Sequence, residues 1–180
     1  MILLEYPDTK FIKMYHKIGG TPRIVKSRDF ILSLLISIIF VIIVANCHKE
    51  VIVITTLCPI FIVLSATMIA IAIAGLAIIA SLSDPDFIKI LMKIDIFDNV
   101  LFFFRFSTFI SGLSIISNIF TYISILFCVC NLVLIISLLF SMFLVLYSLF
   151  SVLSLVGTTM RYGLYRGAFI AKEVDEAKKI

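Results

Sequence analysis

Three long stretches of the chain have no charged residue: residues 30–47, 51–83 and 106–160. A helix that crosses the roughly 30 Å hydrocarbon core of a bilayer needs about 20 apolar residues. The first two stretches are each long enough for one such helix, and the third is long enough for two helices joined by a tight turn. The pattern predicts an all-α integral membrane protein with four transmembrane helices in two hairpins, plus short amphipathic cytoplasmic helices.

The residues between these stretches set the predicted boundaries. We expect spans at about 30–47, 60–82, 105–127 and 132–157, with a cytoplasmic loop at 83–104. Together they make one transmembrane domain over residues 29–160. The chain is too short for a large additional domain outside the membrane.

Local signals refine the ends of the spans. Ser27 or Asp29 can cap the first helix, because both residue types accept hydrogen bonds from first-turn amides. Pro59 suits a first helical turn, which favours an interfacial segment at 51–58 followed by a new helix. One longer, kinked helix from about residue 51 is the alternative. We expect a break at residues 95–99 before the third span, and a turn at 128–131 before the fourth.

The segments outside the spans are polar and basic. Residues 1–28 form an N-terminal tail in which 8–18 are spaced like a short amphipathic helix lying on the membrane surface. Asp84, Pro85 and Asp86 form a helix-start signal before a second amphipathic stretch at 87–93. Residues 161–180 form a C-terminal tail that we expect to be helical at first.

The positive charges predict the orientation. Fourteen of the fifteen Lys and Arg residues lie in the two tails and the 83–105 region, and Lys49 alone lies in the opposite turns. Because Lys and Arg accumulate on the cytoplasmic side of membrane proteins, both termini should be cytoplasmic. We expect an integral membrane protein, of the bacterial inner-membrane type.

Composition narrows the range of functions. Apolar residues make up 62% of the chain and charged residues 14%, with a mean hydropathy of +1.23. A soluble domain has about 25% charged residues, so a soluble enzyme or a nucleic-acid-binding domain is not expected. The net charge is +4, and the positions of the charges along the chain are more informative than their sum.

The sequence lacks the residue combinations that are typical of catalytic or metal-binding sites. His16 and His48 are predicted on opposite sides of the membrane, so no Ser-His-Asp or Cys-His set can form within one chain. No Cys/His spacing resembles a zinc site, and no ionisable residue lies deep in a span. We therefore expect no enzymatic activity, no metal and no cofactor.

Four cysteines lie at the predicted non-cytoplasmic side. Cys47 and Cys58 flank the first outer turn, and Cys128 and Cys130 lie in the second. We expect free thiols that pack as small hydrophobic side chains. A disulfide between the two turns is the alternative in an oxidising compartment.

Small and polar residues recur at helical spacing within the spans. Small side chains let membrane helices approach closely, and hydroxyls can form hydrogen bonds across the contact. They are candidate helix-packing or pore-lining positions, and the choice between packing inside one chain, an oligomer interface and a narrow wet pore stays open. The positions are Ala66, Ala70 and Ala74 in the second span, Ser107, Ser111, Ser114 and Asn118 in the third, and Ser137, Ser141, Ser148 and Ser151 in the fourth.

A second candidate site lies on the predicted cytoplasmic face. Acidic residues of the connecting loop are expected near basic residues of the tails, where they could form a latch or dock an anionic lipid or a protein partner. A basic and aromatic belt that only fixes helix depth is the alternative. The residues are Asp84, Asp86, Asp95, Asp98, Arg105, Arg161, Tyr165 and Arg166.

The layout resembles small four-span inner-membrane proteins that are encoded beside bacterial phage-defence systems, including accessory proteins of RNA-targeting CRISPR loci. The resemblance rests on chain size, on the Ser-Asp-Pro-Asp-Phe segment at 83–87, on the Phe-Asp-Asn-Val-Leu-Phe segment at 97–102, and on the Arg-Tyr-Gly tail at 161–163. It implies an oligomeric membrane effector or regulator that alters membrane integrity when a cytoplasmic partner signals.

The expected function is therefore that of a non-enzymatic, self-associating membrane protein. One hypothesis is a pore-forming or membrane-perturbing effector in antiviral defence, gated from its cytoplasmic face. The alternative is a structural accessory subunit of a larger membrane complex, such as an energy-transducing assembly. Expected partners are membrane lipids, further copies of the chain and a cytoplasmic protein, without direct binding of nucleic acid.

Overall fold

The computed structural model describes residues 25–46, 50–81, 96–127 and 131–177, with side chains described at 25–46, 51–81, 99–127 and 131–171. Four helices make up this part of the chain, and it contains no strand. All four are long and apolar enough to cross a membrane. The fold is thus all-α, as the charge-free stretches predict. The helices are α1 (Arg28–Asn46), α2 (Glu50–Ser81), α3 (Ile96–Leu126) and α4 (Asn131–Ala177).

Two apolar clusters show that successive helices run antiparallel. One cluster joins the end of α1 to the starts of α2 and α4, and we call this end of the bundle the turn end. It contains Val41, Val44, Ile54, Cys58, Leu134 and Leu138. The other joins the end of α2 to the start of α3 and the later part of α4, and we call this end the loop end. It contains Ala72, Ile79, Val100, Phe104, Leu155 and Tyr162.

Helix α4 is the central element of the bundle. It packs against all three other helices, whereas α1 packs mainly on α4 and hardly touches α2. Aromatic contacts fix these positions: the Phe30 ring of α1 lies 5.7 Å from that of Tyr147, and the Phe106 ring of α3 lies 6.3 Å from the same tyrosine. With 47 residues and a rise of about 1.5 Å each, α4 is about 70 Å long and extends well beyond the hydrocarbon core.

The helix boundaries differ from the sequence-based expectations in three places. Helix α2 is continuous from Glu50 to Ser81 with Pro59 inside it, which is the longer-helix alternative. A continuous helix keeps most of its backbone groups paired where lipid offers no hydrogen bonds, although Pro59 has no N–H to donate to the carbonyl four residues earlier. Helix α3 begins at Ile96, within the break expected at 95–99, because Val100 and Phe104 are buried against the loop-end cluster. Helix α4 continues past residue 157 to Ala177 without a break, since Tyr162 is buried there. The expectation that the C-terminal tail is helical at first is confirmed.

Other local predictions have mixed outcomes. Ser27 caps α1, because its Oγ accepts a hydrogen bond from the Phe30 amide at 3.2 Å. Cys58 is free and buried. The other three cysteines, the amphipathic segments at 8–18 and 87–93, and the helix-start signal at 84–86 lie outside the described residues.

Gly75 lies against Phe104 where α2 packs on α3. A Cβ atom at Gly75 would lie 2.9 Å from Cε1 of Phe104, closer than side chains normally pack. Phe104 is buried in the loop-end cluster, so its ring has little room to move. Because Gly75 has no side chain, α2 and α3 can pack closely together at the loop end.

We predict that Gly75→Ala is less stable than its matched control, Gly157→Ala. Both changes gain the same intrinsic helix propensity, about 1 kcal/mol, but no atom lies within 4 Å of the control Cβ. Overpacking against Phe104 should make the Gly75 variant about 1–3 kcal/mol less stable than the control variant. Unfolding in mixed micelles, followed by circular dichroism, measures the difference. Equal stabilities would show that the helices are not closely packed at Gly75.

Candidate functional site

The inward face of α3 is a continuous row of polar residues. Its members are spaced by four and three residues, which places them on one side of a helix. Each side chain is fully buried between α2 and α4, although the helix as a whole is apolar. The row consists of Ser107, Ser111, Ser114, Asn118 and Thr121.

A hydrogen-bond network joins three helices at the middle of this row. The Oγ atoms of Ser65 on α2 and Ser114 on α3 are 2.9 Å apart. Asn118 Nδ2 donates to the Ser114 carbonyl at 2.8 Å, and Ser141 Oγ on α4 donates to Asn118 Oδ1 at 2.6 Å. We call these four residues the polar layer. Both ends of the Asn118 amide are paired within it, which removes the cost of burying an unpaired amide.

Further polar contacts lie on each side of the polar layer. Towards the turn end, Thr121 Oγ1 lies 2.9 Å from the Ser117 carbonyl and 3.2 Å from the Ser137 carbonyl on α4. Towards the loop end, Ser148 Oγ lies 2.8 Å from the Val145 carbonyl and 3.1 Å from Met68 Sδ on α2. The polar region therefore occupies the space between the two apolar clusters.

Two hydroxyls in the row differ from the others. Ser107 Oγ and Ser111 Oγ are buried and have no hydrogen-bond partner among the described residues. Other buried hydroxyls are paired, either across helices as in the polar layer or within their own helix, as Ser37 Oγ is with the Ser33 carbonyl at 2.7 Å. The loop-end side of the polar layer thus contains hydroxyls with unused bonding capacity.

The chemistry of this region is that of neutral hydroxyls, amides and one thioether. Such groups can donate and accept hydrogen bonds, which suits helix packing or contact with water. The described residues contain no group of three or more His, Cys, Asp or Glu side chains that could hold a metal ion.

The structure separates the predicted packing positions into two groups. The polar positions of α3 and α4 face the interior: Ser141 and Ser148 are buried, and Ser137 and Ser151 are half-buried. The small residues of α2 face the opposite way, because Ala66, Ala70 and Ala74 are all exposed on the outside of the bundle. The serine row of α3 therefore faces the other helices of the same chain, and the alanine row is open.

The predicted latch is only partly described. Asp84, Asp86 and Asp95 lie outside the described residues, and so does the side chain of Asp98. The basic and aromatic members lie at the loop end, where Arg105, Arg161 and Tyr165 are exposed and Arg166 is half-buried. The Arg166 guanidinium carbon lies 5.8 Å from the centroid of the Phe169 ring. Pairing between the acidic and basic groups stays a prediction.

Tyr162 is the important residue that the sequence analysis did not select. It is 2% exposed and packs in the loop-end cluster, with Phe169 against the same cluster. A seven-residue repeat along α4 contains the signal, since its positions face the other helices and are serines in the middle and apolar or aromatic residues at each end. The repeat runs through Leu134, Ser141, Ser148, Leu155, Tyr162 and Phe169. Sustained repeats of this kind are typical of helices that pack along one continuous seam.

Ser65 was also missed. It is the one serine between residues 51 and 80, in a mostly apolar stretch, so no repeat in α2 singles it out. Its role is visible only once Ser114 is placed opposite it.

Comparison of the chain with protein-family models, with curated proteins and with solved structures found no match. The features of the chain that bear on its function are the polar layer, the open alanine row and the continuous α4 helix.

Proposed function

We propose that the protein is a non-enzymatic, self-associating membrane effector or regulator that opens or perturbs the bilayer under control from its cytoplasmic face. One observation carries the proposal. Helix α4 is a single helix that contributes Ser141 to the polar layer and Tyr162 to the loop-end cluster. A signal received beyond the membrane thus has a direct mechanical route to the polar interior.

The route follows the seven-residue repeat of α4. Because the helix is unbroken between Ser141 and Tyr162, a shift or rotation of its outer part moves both positions together. Tyr162 is packed against α2 and α3, so such a movement also changes their spacing at Phe104. The interactions that would break and re-form during this movement are hydrogen bonds between uncharged groups. Interhelical bonds of this type contribute about 0.6–2 kcal/mol each, which allows two arrangements of similar energy.

The loop end presents a surface on which a partner could bind. Leu164 is 74% exposed and Tyr165 is 53% exposed, and Arg161 is exposed beside them. A basic surface with exposed apolar and aromatic side chains suits a protein partner or anionic headgroups. The excess of Lys and Arg at this end supports a cytoplasmic location, in a membrane of the bacterial inner-membrane type.

Self-association is supported by the open face of α2. Ala66, Ala70 and Ala74 repeat at four-residue intervals on the outside of the bundle. Small residues at this spacing allow a second helix to approach closely in the membrane. The proposed role in phage defence agrees with the resemblance of the loop segments and the Arg-Tyr-Gly tail, and it awaits the experiments below.

We predict that Ala70→Leu weakens self-association without unfolding the chain. The Ala70 side chain is exposed, so the added bulk fits the single bundle but blocks close approach of a second α2 helix. Crosslinking and light scattering in mild detergent measure the oligomer. Ile42→Leu, at an exposed position of α1, is the control and should associate like the unchanged chain.

Two results would contradict this prediction. A chain that is monomeric at every concentration rules out self-association, and an oligomer unaffected by Ala70→Leu rules out the alanine face. Recovery of the chain only together with unrelated membrane subunits would instead favour the structural accessory role.

We predict that reversing the charges of Arg161 and Arg166 changes activity without preventing insertion or assembly. Exposed ion pairs contribute only about 0–1 kcal/mol each, but about 1.4 kcal/mol in total shifts a two-state equilibrium tenfold. Membrane depolarisation or growth arrest, in cells that express the chain with its native partner, measures the effect of Arg161→Glu with Arg166→Glu.

Lys26→Glu is the control, since it reverses an exposed charge at the same end of the bundle, near the start of α1 and outside the proposed latch. The latch is wrong if the double variant inserts, assembles and depolarises membranes like the unchanged protein. The two arginines would then serve only as anchors that fix helix depth.

A further inference from the structure

The unpartnered hydroxyls of Ser107 and Ser111 lie one helical turn apart on the inward face of α3. Both side chains are fully buried, and neither Oγ has a hydrogen-bond partner among the described residues. A buried hydroxyl without a partner is unfavourable, because it has lost the hydrogen bonds that it makes with water in the unfolded chain. Native structures usually pair such groups with protein atoms or with ordered water.

The register of α2 and α3 shows what lies opposite these hydroxyls. Ser65 contacts Ser114, and Gly75 lies against Phe104. The two contacts are ten residues apart on each helix, so the pairing is in constant antiparallel register. Continuing it places Met68 at the level of Ser111 and Ala72 at the level of Ser107.

The register of α3 and α4 adds a third wall. Asn118 pairs with Ser141, and one seven-residue step along each helix brings Ser111 to the level of Ser148. Ser148 Oγ is within 3.1 Å of Met68 Sδ, which confirms that α2 and α4 meet at this level. The Ser148 oxygen still has lone pairs with which to accept a hydrogen bond.

The surroundings of the two hydroxyls are partly polar. Ser111 shares its level with Met68 of α2 and Ser148 of α4, and Ser107 shares its level with Ala72 of α2. An internal water typically makes about three hydrogen bonds to buried polar groups. The two free hydroxyls, with Ser148 as an acceptor, supply that number.

We propose that Ser107 and Ser111 bind internal water inside a single chain, on the loop-end side of the polar layer. The site has no charge and no metal ligand, so its ligand is water itself. Its position next to Ser114 connects it to the Asn118 network. The inference does not rest on the proposed function, because it requires neither a second copy of the chain nor a partner.

Water-edited solid-state NMR of the unmodified protein in lipid bilayers tests the site. Magnetisation that starts on water builds up at nearby serine Cβ signals, and variants Ser107→Ala and Ser111→Ala assign those signals. Ser33 and Ser37 are matched controls in the same sample, because they are equally buried but bond back to α1 carbonyls at 2.9 and 2.7 Å.

We expect build-up at Ser107 and Ser111 to be several-fold faster than at Ser33 and Ser37. We also expect Ser111→Ala to slow the build-up at Ser107, because the two hydroxyls share the water. Build-up at either serine that is as slow as at the controls would overturn the proposal. In that case the hydroxyl is dry and bonds back to an α3 carbonyl.

Discussion

The Asn118 side chain carries both a strong donor and a strong acceptor in the middle of an apolar bundle, and lipid can pair neither of them. The structure pairs the donor within α3 and the acceptor with Ser141 of α4. Ser114, which accepts from Asn118 through its carbonyl, also contacts Ser65 of α2. Because both groups of Asn118 must be paired away from lipid, this face of α3 points inward and α2 and α4 pack against it. Small serines at the contacts then allow the backbones to approach closely.

The packing of α1 and of the two ends of the bundle follows from the contact of α2, α3 and α4 at the polar layer. With α2 and α4 held against α3, apolar side chains fill the space at each end, in the turn-end and loop-end clusters. Helix α1 is held differently, by packing on α4 through Phe30 and its neighbours, and it contributes no residue to the polar layer. The bundle is thus a tightly registered group of three helices with α1 attached to the outside of α4.

The sequence predicts the four helices because burial in lipid demands long charge-free stretches, a signal that depends on composition alone. The inward-facing polar row of α3 can also be predicted from the sequence, since its polar residues keep a strict helical spacing. The continuity of the fourth span with the helical tail cannot be predicted, because the outer part of α4 becomes polar while Tyr162 and Phe169 continue the packing seam. Hydropathy reports lipid contact and is insensitive to packing against neighbouring helices outside the membrane.

The sequence also could not show whether the alanine row of α2 faces the other helices or the outside of the bundle. Small residues suit a contact within the chain and a contact between chains equally well, and only the observed exposure of Ala66, Ala70 and Ala74 separates the two. The Gly75 contact required knowledge of its partner, Phe104, on another helix. In each case the missing information is the relative rotation of two helices, which the polar layer determines.

A double-mutant cycle between Asn118 and Ser141 tests the central claim most directly. Free energies of unfolding in mixed micelles would be measured for Asn118→Ala, Ser141→Ala and the double variant. We predict a coupling energy of about 0.6–2 kcal/mol, as found for hydrogen bonds between membrane helices. The same cycle between Asn118 and Ser37, which is bonded within α1, should give no coupling. A coupling near zero for Asn118 and Ser141 would contradict the account, because α3 and α4 would then not be held together by the polar layer.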